Sequence, residues 1–161
     1  MSIQFTGEEL LEMGVKIEEI GEEYYREFAS KVKNKDVKEL LEHLAAEEVR
    51  HKNLFISFQD KWGSEDFVAP LLNEQVSAYL KSLVGAKVFT DKKTFMNKFK
   101  NLDNPLDIIN NAIIFEKDTI LFYHEMKNFV SESRQHIVAE LIDEEWKHVL
   151  KLEKIKQSLV D

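Results

Sequence analysis

Apolar residues recur every three, four or seven positions in four long stretches of this chain, the spacing of helices that bury one face. The first stretch follows Thr6, which forms a capping-box pattern with Glu9 and predicts a helix over about residues 7–32. Polar residues then predict a turn around Asn34, and a second helix over about residues 36–62. The first half of the chain therefore predicts a helical hairpin.

The second half repeats this organisation after a long irregular region, residues 63–104. Asn104 and Pro105 predict the start of a third helix, which runs to about residue 130, because proline suits the first helical position. Ser131–Ser133 are predicted to cap a fourth helix that ends near residue 159. Within the irregular region, a helix is predicted over residues 73–84, followed by a short amphipathic segment over residues 92–99.

Connections that are short, long and short are typical of two antiparallel hairpins joined by one crossover. The chain has 161 residues with only 5 Gly and 2 Pro, which leaves long stretches free of helix breakers. We therefore predict an all-α four-helix bundle, with one long crossover between helices 2 and 3, and a single domain spanning residues 1–161.

Seven-residue steps reveal a repeat that places glutamates inside the apolar stripes. In the first and third helices the series reads apolar, Glu, Tyr, Val at an offset of 98 residues, and the second and fourth match at an offset of 97. The series are Leu11, Glu18, Tyr25, Val32 with Ile109, Glu116, Tyr123, Val130, and Leu41, Leu44, Glu48, His51, Phe55, Phe58 with Val138, Leu141, Glu145, His148, Leu152, Ile155.

Each helix thus carries one glutamate in its core-facing stripe, and two helices add a histidine three residues later on the same face. Glu18 lies 16 residues before Asn34 and Glu48 lies 14 after it, so both carboxylates occupy nearly the same level. Glu116 and Glu145 flank the second turn in the same way. Four carboxylates buried at one level repel one another, and two divalent cations would neutralise them.

Oxygen and imidazole ligands suit iron or manganese, with zinc as an alternative and copper less apt without sulfur. A Glu from each of two helices and a Glu-x-x-His from each of the other two is the arrangement known for di-iron carboxylate bundles. The sequence therefore predicts a site for two metal ions.

Charge and composition exclude several other functions. The formal net charge of −8 disfavours nucleic acid and anionic membranes as partners and favours cations. Cys is absent, which excludes thiolate zinc sites and iron–sulfur clusters. No signal peptide and no apolar run long enough to span a membrane is evident, so a cytoplasmic protein is expected.

The segments "IEEIGEEYYREF", "LAAEEVRH", "AIIFEKDTILFY" and "LIDEEWKH" resemble the rubrerythrin branch of the ferritin-like superfamily. The resemblance implies a ferritin-like bundle that holds two iron ions. Carried over to this sequence, it makes Glu48 and Glu145 bridging ligands and Glu18 and Glu116 terminal ligands, with His51 and His148 as one imidazole per metal. Tyr25 and Tyr123 match positions that hydrogen-bond the carboxylates and serve catalysis.

The resemblance also implies a redox enzyme that reduces peroxide or oxygen, and a homodimer. Typical rubrerythrins carry a rubredoxin module with four Cys, and since this sequence has no Cys, electrons would come from a separate protein such as a rubredoxin. Rubrerythrins also carry a further Glu three residues after the terminal ligand of the third helix. Thr119 stands there, which questions the ligand exchange of their peroxidase cycle.

Other interpretations stay open beside this one. The chain could be a ferroxidase that handles iron, or a metal-stabilised helical module that binds other proteins without catalysis. Tyr25 and Tyr123 could be core residues with satisfied hydroxyls. Glu47 and Glu144 could orient a histidine of a neighbouring helix. His43, His124 and His136 are predicted at the surface, and Phe55, Phe58, Phe115 and Phe122 in the core.

Overall fold

The computed structural model describes residues 6–68, 78, 82 and 92–161. In this part of the chain four long helices and one short helix form the structure, and the third and fourth predicted helices are α4 and α5. Their bounds are Gly7–Lys31 (α1), Lys35–Lys61 (α2), Lys92–Asn97 (α3), Pro105–Lys127 (α4) and Glu132–Val160 (α5).

The helix ends follow the predicted capping residues, with one correction. Thr6 and Glu9 form both bonds of a capping box, and the side chains of Asn34 and Asn104 accept hydrogen bonds at the starts of α2 and α4. Ser131 occupies the N-cap of α5, but its hydroxyl makes no capping bond and instead contacts the Ser133 hydroxyl at 3.0 Å. The prediction of a serine cap was therefore right in position and wrong in mechanism.

The long helices pack as two antiparallel hairpins. α1 lies along α2 and α4 lies along α5, while smaller contacts join α2 to α5 and α1 to α4. The predicted all-helical bundle is thereby confirmed. Among the described residues, no helix is long and apolar enough to cross a lipid bilayer.

Two apolar clusters form the core of the bundle. One is centred on Leu11, Phe55 and Tyr123 and lies towards the start of α1. The other contains Tyr25 and Leu44 and lies towards the end of α1. Each large side chain buried in this way contributes about 1.5–3 kcal/mol of transfer free energy. Between the clusters lies a layer of buried polar residues.

The long connection between α2 and α4 is tied down at its start. A 3₁₀ turn over Ser64–Asp66 leads to Phe67, which forms an isolated antiparallel bridge with Val130 at the turn between α4 and α5. The Asp66 carboxylate accepts hydrogen bonds from the backbone of Gly63 at 2.9 Å and from Arg134 Nε at 2.7 Å. These contacts join the start of the connection to the second hairpin.

The amphipathic segment over residues 92–99 contains the short helix α3, Lys92–Asn97. Phe95 is buried, and Phe99 meets the ring of Tyr24 edge-on at 5.3 Å, so this segment packs on α1. The helix predicted over residues 73–84 lies outside the described residues, apart from Ala78 and Ser82, which are both helical.

Candidate metal centre

Six charged or titratable side chains meet in the polar layer between the two apolar clusters. Every one of them is at most 2 % exposed, although glutamate is almost never fully buried without a partner. They come from all four long helices, as the heptad positions predict. The six are Glu18 of α1, Glu48 and His51 of α2, Glu116 of α4, and Glu145 and His148 of α5.

Glu145 lies between the two histidines. Its Oε1 is 2.8 Å from His51 Nδ1 and its Oε2 is 3.0 Å from His148 Nδ1. The two imidazole rings are stacked, with centroids 5.5 Å apart and planes inclined by 19°. Each ring therefore points its Nδ1 at the carboxylates.

The other three carboxylates surround this pair. Glu18 Oε2 is 3.6 Å from His51 Nδ1, while Glu48 Oε1 and Glu116 Oε1 are 3.4 Å and 3.7 Å from His148 Nδ1. The described residues offer three groups of potential ligand atoms, each with all atoms within 4.8 Å of one another, and two of these groups consist entirely of the six buried side chains. One group is Glu18, Glu48, His51 and Glu145, and the other is Glu48, Glu116, Glu145 and His148.

Glu48 and Glu145 belong to both of these two groups, whereas each of the other four buried side chains belongs to only one of the two. This arrangement matches the bridging and terminal roles that the resemblance implies. Because these distances describe the side chains without a cation, the coordination roles themselves stay a prediction.

When no cation is bound, protons on some of these side chains reduce the repulsion between the buried carboxylates. Burial, together with the neighbouring Glu18, Glu145 and Glu116, raises the pKa of Glu48 well above its ordinary value of 4.5. Burial and the charge of Glu145 raise the pKa of Glu116 to about 8, although His148 opposes the shift. Both shifts favour the protonated, uncharged form of these two side chains.

Glu145 behaves oppositely because both histidines contact it. Burial alone would raise its pKa, but the contacts with His148 and His51 outweigh burial and hold the pKa well below 4.5. In the histidines, burial is likewise outweighed by contacts with carboxylates, which raise the pKa to about 12 for His51 and about 10 for His148. The metal-free centre thus contains a Glu145 carboxylate between two imidazolium ions.

These protonated pairs leave many polar atoms unsatisfied. His51 Nδ1, His148 Nδ1 and both oxygens of Glu145 are buried and make no well-aligned hydrogen bond, so their short contacts are close but poorly directed. One oxygen each of Glu18, Glu48 and Glu116 is also unsatisfied. Unpaired polar atoms in a protein interior are costly, and these point at one another across a small volume. Cations between them would satisfy all of these atoms at once, so the donor set fits a pair of metal ions.

The two predicted tyrosines contact the carboxylates that the resemblance makes terminal. Tyr25 donates a hydrogen bond to Glu116 Oε1, and Tyr123 donates one to Glu18 Oε1. Burial and the nearby carboxylates raise both tyrosine pKa values well above 10, so the phenols stay neutral donors. Each bond runs between α1 and α4 and fixes one carboxylate.

A second layer of charges lies behind the histidines. Glu144 Oε2 is 2.6 Å from His51 Nε2, as predicted for a carboxylate that orients a histidine of another helix. The equivalent bond from Glu47 to His148 is absent, since Glu47 instead accepts a hydrogen bond from Arg50 at 3.1 Å. The prediction is therefore confirmed for Glu144 and wrong for Glu47, because Arg50 binds the Glu47 carboxylate.

The remaining predictions about side chains agree with the structure. Thr119 is buried and donates its hydroxyl hydrogen bond to the carbonyl of Phe115 at 3.0 Å, so it turns back to its own helix. The three other histidines are exposed, and the four phenylalanines are buried. These are His43, His124 and His136, and Phe55, Phe58, Phe115 and Phe122.

A stripe of glycines in α1 also faces the core and was not predicted from the sequence. Gly7, Gly14 and Gly21 are seven residues apart and face the core, a spacing that could have revealed them. A Cβ added at Gly14 would lie 2.6 Å from the Phe55 ring. One added at Gly21 would lie 3.1 Å from Glu48 Oε2. The missing side chain at Gly21 thus leaves room for the Glu48 carboxylate.

Gly21→Ala is expected to weaken metal binding more than it affects folding. Alanine gains about 1 kcal/mol of helix propensity over glycine. Its methyl group would press on Glu48, which can shift by a few tenths of an ångström without a cation but not while it binds one. Calorimetric titration with Zn²⁺ should show lower affinity, and urea unfolding of the metal-free variant should show unchanged or slightly higher stability. Unchanged Zn²⁺ affinity would show that the Glu48 carboxylate can bind the cation with a methyl group at position 21.

The sequence profile of the Rubrerythrin family matches residues 9–156, which include all six buried residues and both tyrosines. The chain belongs to the rubrerythrin family. In this rubrerythrin-family chain, the buried Glu and His residues form two overlapping groups of potential metal ligands.

A solved structure shares the fold of this rubrerythrin-family chain. It is described as a putative ferritin-like diiron-carboxylate protein from Thermotoga maritima. The two chains superpose with a TM-score of 0.71 and 24 % sequence identity over 96 % of each chain, which shows a common ferritin-like bundle. No curated protein sequence matches the chain.

Proposed function

We propose that the chain is a di-iron redox protein that reduces hydrogen peroxide or oxygen with electrons from a separate partner protein. The observation that carries the proposal is the pair of overlapping ligand groups, which share two carboxylates. Family membership and the ferritin-like fold support iron as the metal, with manganese or zinc as alternatives. The absence of cysteine in the sequence leaves the electrons to a donor such as a rubredoxin, and a cytoplasmic setting would supply one.

The protein's own residues prepare the centre in three ways. Four carboxylates balance the charge of two divalent cations, and the apolar clusters on both sides limit the access of water. Tyr25 and Tyr123 hold Glu116 and Glu18 in place through their hydroxyl protons. Two ferrous ions would supply the two electrons that, with two protons, convert hydrogen peroxide into two water molecules.

Metal analysis and rapid mixing test this proposal. The protein, purified without added metal or chelator, should contain two metal ions per chain. After anaerobic loading with Fe²⁺, stopped-flow absorbance should show faster oxidation by peroxide than by air-saturated buffer. Glu48→Gln, which removes one shared ligand, should abolish the fast phase while the helical circular dichroism stays the same.

Other outcomes would assign a different function. Oxidation that is no faster with peroxide than with air would contradict a peroxidase. Rapid oxidation by air, followed by release or storage of ferric iron, would indicate a ferroxidase that handles iron. A protein that binds metal but reacts with neither oxidant would be a metal-stabilised helical module.

We also propose that the chain forms a homodimer through the outer side of the α4–α5 hairpin. Ile114, Leu121, Trp146 and Leu150 are exposed there by 60, 45, 44 and 65 % of their surface. Their helical spacing places each pair on one stripe of its helix. The offsets of 98 and 97 residues put Lys16, Glu23, Val49 and Asn53 at the equivalent positions of the first hairpin. Because only one hairpin exposes this patch, helical packing alone does not require it.

Replacing Ile114 with Lys and Leu150 with Asn, the residues of the first hairpin, is expected to yield a monomer. Light scattering should give the dimer mass for the wild type and the monomer mass of about 18.9 kDa for the double variant. Lys16→Ile and Asn53→Leu provide the matched control and should leave the mass unchanged. A wild-type monomer, or a variant that stays dimeric, would contradict this assignment.

A further inference from the structure

The two histidines of the centre differ at the nitrogen that faces away from the carboxylates. His51 Nε2 lies 2.6 Å from Glu144 Oε2, whereas His148 Nε2 is buried and has no hydrogen-bond partner among the described residues. The repeat predicts the same environment for both, because Glu47 and Glu144 occupy equivalent positions at an offset of 97. The two histidine environments therefore differ although the sequence repeat makes their neighbours equivalent.

Arg50 accounts for the difference. Its NH2 nitrogen donates to Glu144 Oε2 and also to Glu47 Oε2 at 3.1 Å, and lies 3.2 Å from His51 Nε2. An oxygen of Glu47 and a nitrogen of each histidine lie within 4.8 Å of one another, so Glu47 is near His148 without bonding to it. The guanidinium thus bonds both carboxylates, and of the two only Glu144 also contacts a histidine nitrogen at hydrogen-bond distance.

The second half of the chain cannot form the same arrangement. Lys147 occupies the position equivalent to Arg50, is exposed, and forms no ion pair in the part of the chain that the structure describes. An ammonium group is a compact charge, whereas a planar guanidinium offers five N–H donors in a fixed fork. The difference between Arg50 and Lys147 at equivalent positions therefore explains why the two histidines have different neighbours.

We propose that Arg50 is a positioning residue that makes the two metal sites unequal, so that the site of Glu18 and His51 binds its cation first and more tightly. A histidine that ligates through Nδ1 must carry its proton on Nε2. Glu144 accepts a hydrogen bond from the Nε2–H of His51, which fixes the tautomer and the ring orientation and makes the ligand more basic. His148 has no such acceptor. The inference rests on the proposed function only in requiring that the chain bind two metal ions.

Two alanine variants test the role of Glu144 with a matched control. Glu144→Ala and Glu47→Ala each remove one charge and one carboxylate partner of Arg50, and the two side chains are similarly exposed, at 31 and 29 %. Calorimetric titration of the metal-free wild type with Zn²⁺, which has no redox chemistry, should resolve a tighter and a weaker step. Glu144→Ala should weaken the tighter step by about 10–100-fold, the usual effect of losing such a partner, and Glu47→Ala should change either step by less than about threefold.

Arg50→Lys tests the arginine itself, because it gives both halves of the chain the same residue. The two Zn²⁺ affinities should approach each other by about tenfold or more, since Glu47 becomes free to accept a hydrogen bond from the Nε2–H of His148. Proton NMR of the Zn²⁺-loaded protein gives an independent readout. One histidine Nε2–H signal should be shifted downfield and protected from exchange in the wild type, and it should disappear in Glu144→Ala.

The outcomes separate this inference from the proposed function. Equal Zn²⁺ affinities in the wild type, or equal losses in Glu144→Ala and Glu47→Ala, would overturn the role of Arg50 and leave the metal centre standing. Failure of the wild type to bind Zn²⁺, Mn²⁺ or Fe²⁺ would instead refute the metal centre. Urea unfolding of each metal-free variant identifies any loss of affinity that comes from misfolding.

Discussion

Glu145→Gln is expected to destabilise the metal-free protein by about 3–5 kcal/mol at pH 7, the usual cost of removing one partner from a buried ion pair. The Glu145 carboxylate lies 2.8 Å from the nearest nitrogen of His51 and 3.0 Å from that of His148. Contacts with these carboxylates keep the pKa of both histidines above neutral pH, so removing the charge of Glu145 leaves two buried imidazolium ions without their shared partner.

Glu48→Gln is the matched control for this prediction. Burial raises the pKa of Glu48 well above 4.5, which favours the protonated side chain, and glutamine has nearly the shape of a protonated glutamate. The metal-free variant should therefore lose less than about 1 kcal/mol, within the range of an uncharged replacement. Both variants should bind metal poorly, since each loses a shared ligand.

Urea unfolding in the presence of a chelator, followed by Zn²⁺ titration, measures both effects. Equal losses of stability in the two variants, or a larger loss in Glu48→Gln, would contradict a protonated Glu48 and a charged Glu145 in the metal-free centre. The comparison also separates two roles that the sequence cannot distinguish. Glu48 and Glu145 occupy equivalent heptad positions, but only Glu145 lies between both histidines.

Much of the centre could be predicted because glutamate violates the pattern that forms the bundle. A helix stripe that faces a core is normally apolar, so Glu18 or Glu116 at such a position indicates a special partner. The repeat at offsets of 98 and 97 then places the residues of both hairpins at one level. Geometry of this kind depends only on helical rise and on the position of each turn, which the capping residues mark.

Other features of the centre and of the fold could not be predicted, because they depend on side-chain contacts and on a loop without a regular period. Arg50 reads as an ordinary surface residue, and its three contacts depend on side-chain conformations. Gly21 reads as a weak point in a helix, although it leaves room for a carboxylate. The connection after α2 lacks a regular period, so its bridge to Val130 could not be foreseen.

The metal-free protein is expected to lose stability as the pH rises from 6 to 9, while its affinity for divalent cations increases. Folding raises the pKa of Glu116 from 4.5 to about 8, and the pKa of His51 and His148 from 6.5 to about 12 and about 10. A raised pKa gives stability that is complete below the unfolded value and disappears as the pH rises through the folded value. Each such group lowers the unfolding free energy by about 1.4 kcal/mol per pH unit between its two pKa values.

Cations should replace these protons. At pH 7 Glu48, Glu116, His51 and His148 each hold one in the metal-free protein, so loading two divalent ions should release up to four. Calorimetry in buffers with different ionisation enthalpies counts the protons released. Zn²⁺ at 100 times its dissociation constant should add about 2.7 kcal/mol for each site, and the gain at fixed total Zn²⁺ should grow with pH.

The low-pH limit gives this prediction its sharpest check. Contacts with the histidines lower the pKa of Glu145, so its contribution is present above pH 4.5 and is lost as the pH falls through its folded value. Stability of the metal-free protein should therefore peak near pH 4.5, where the contribution of Glu145 is complete and the losses from Glu48 and Glu116 begin, and the histidines should steepen the decline above pH 6.5. Glu116→Gln, which removes one raised group, should flatten the decline between pH 6 and 8. A metal-free protein that becomes more stable from pH 6 to 9 would contradict protons as the substitutes for metal ions in this centre.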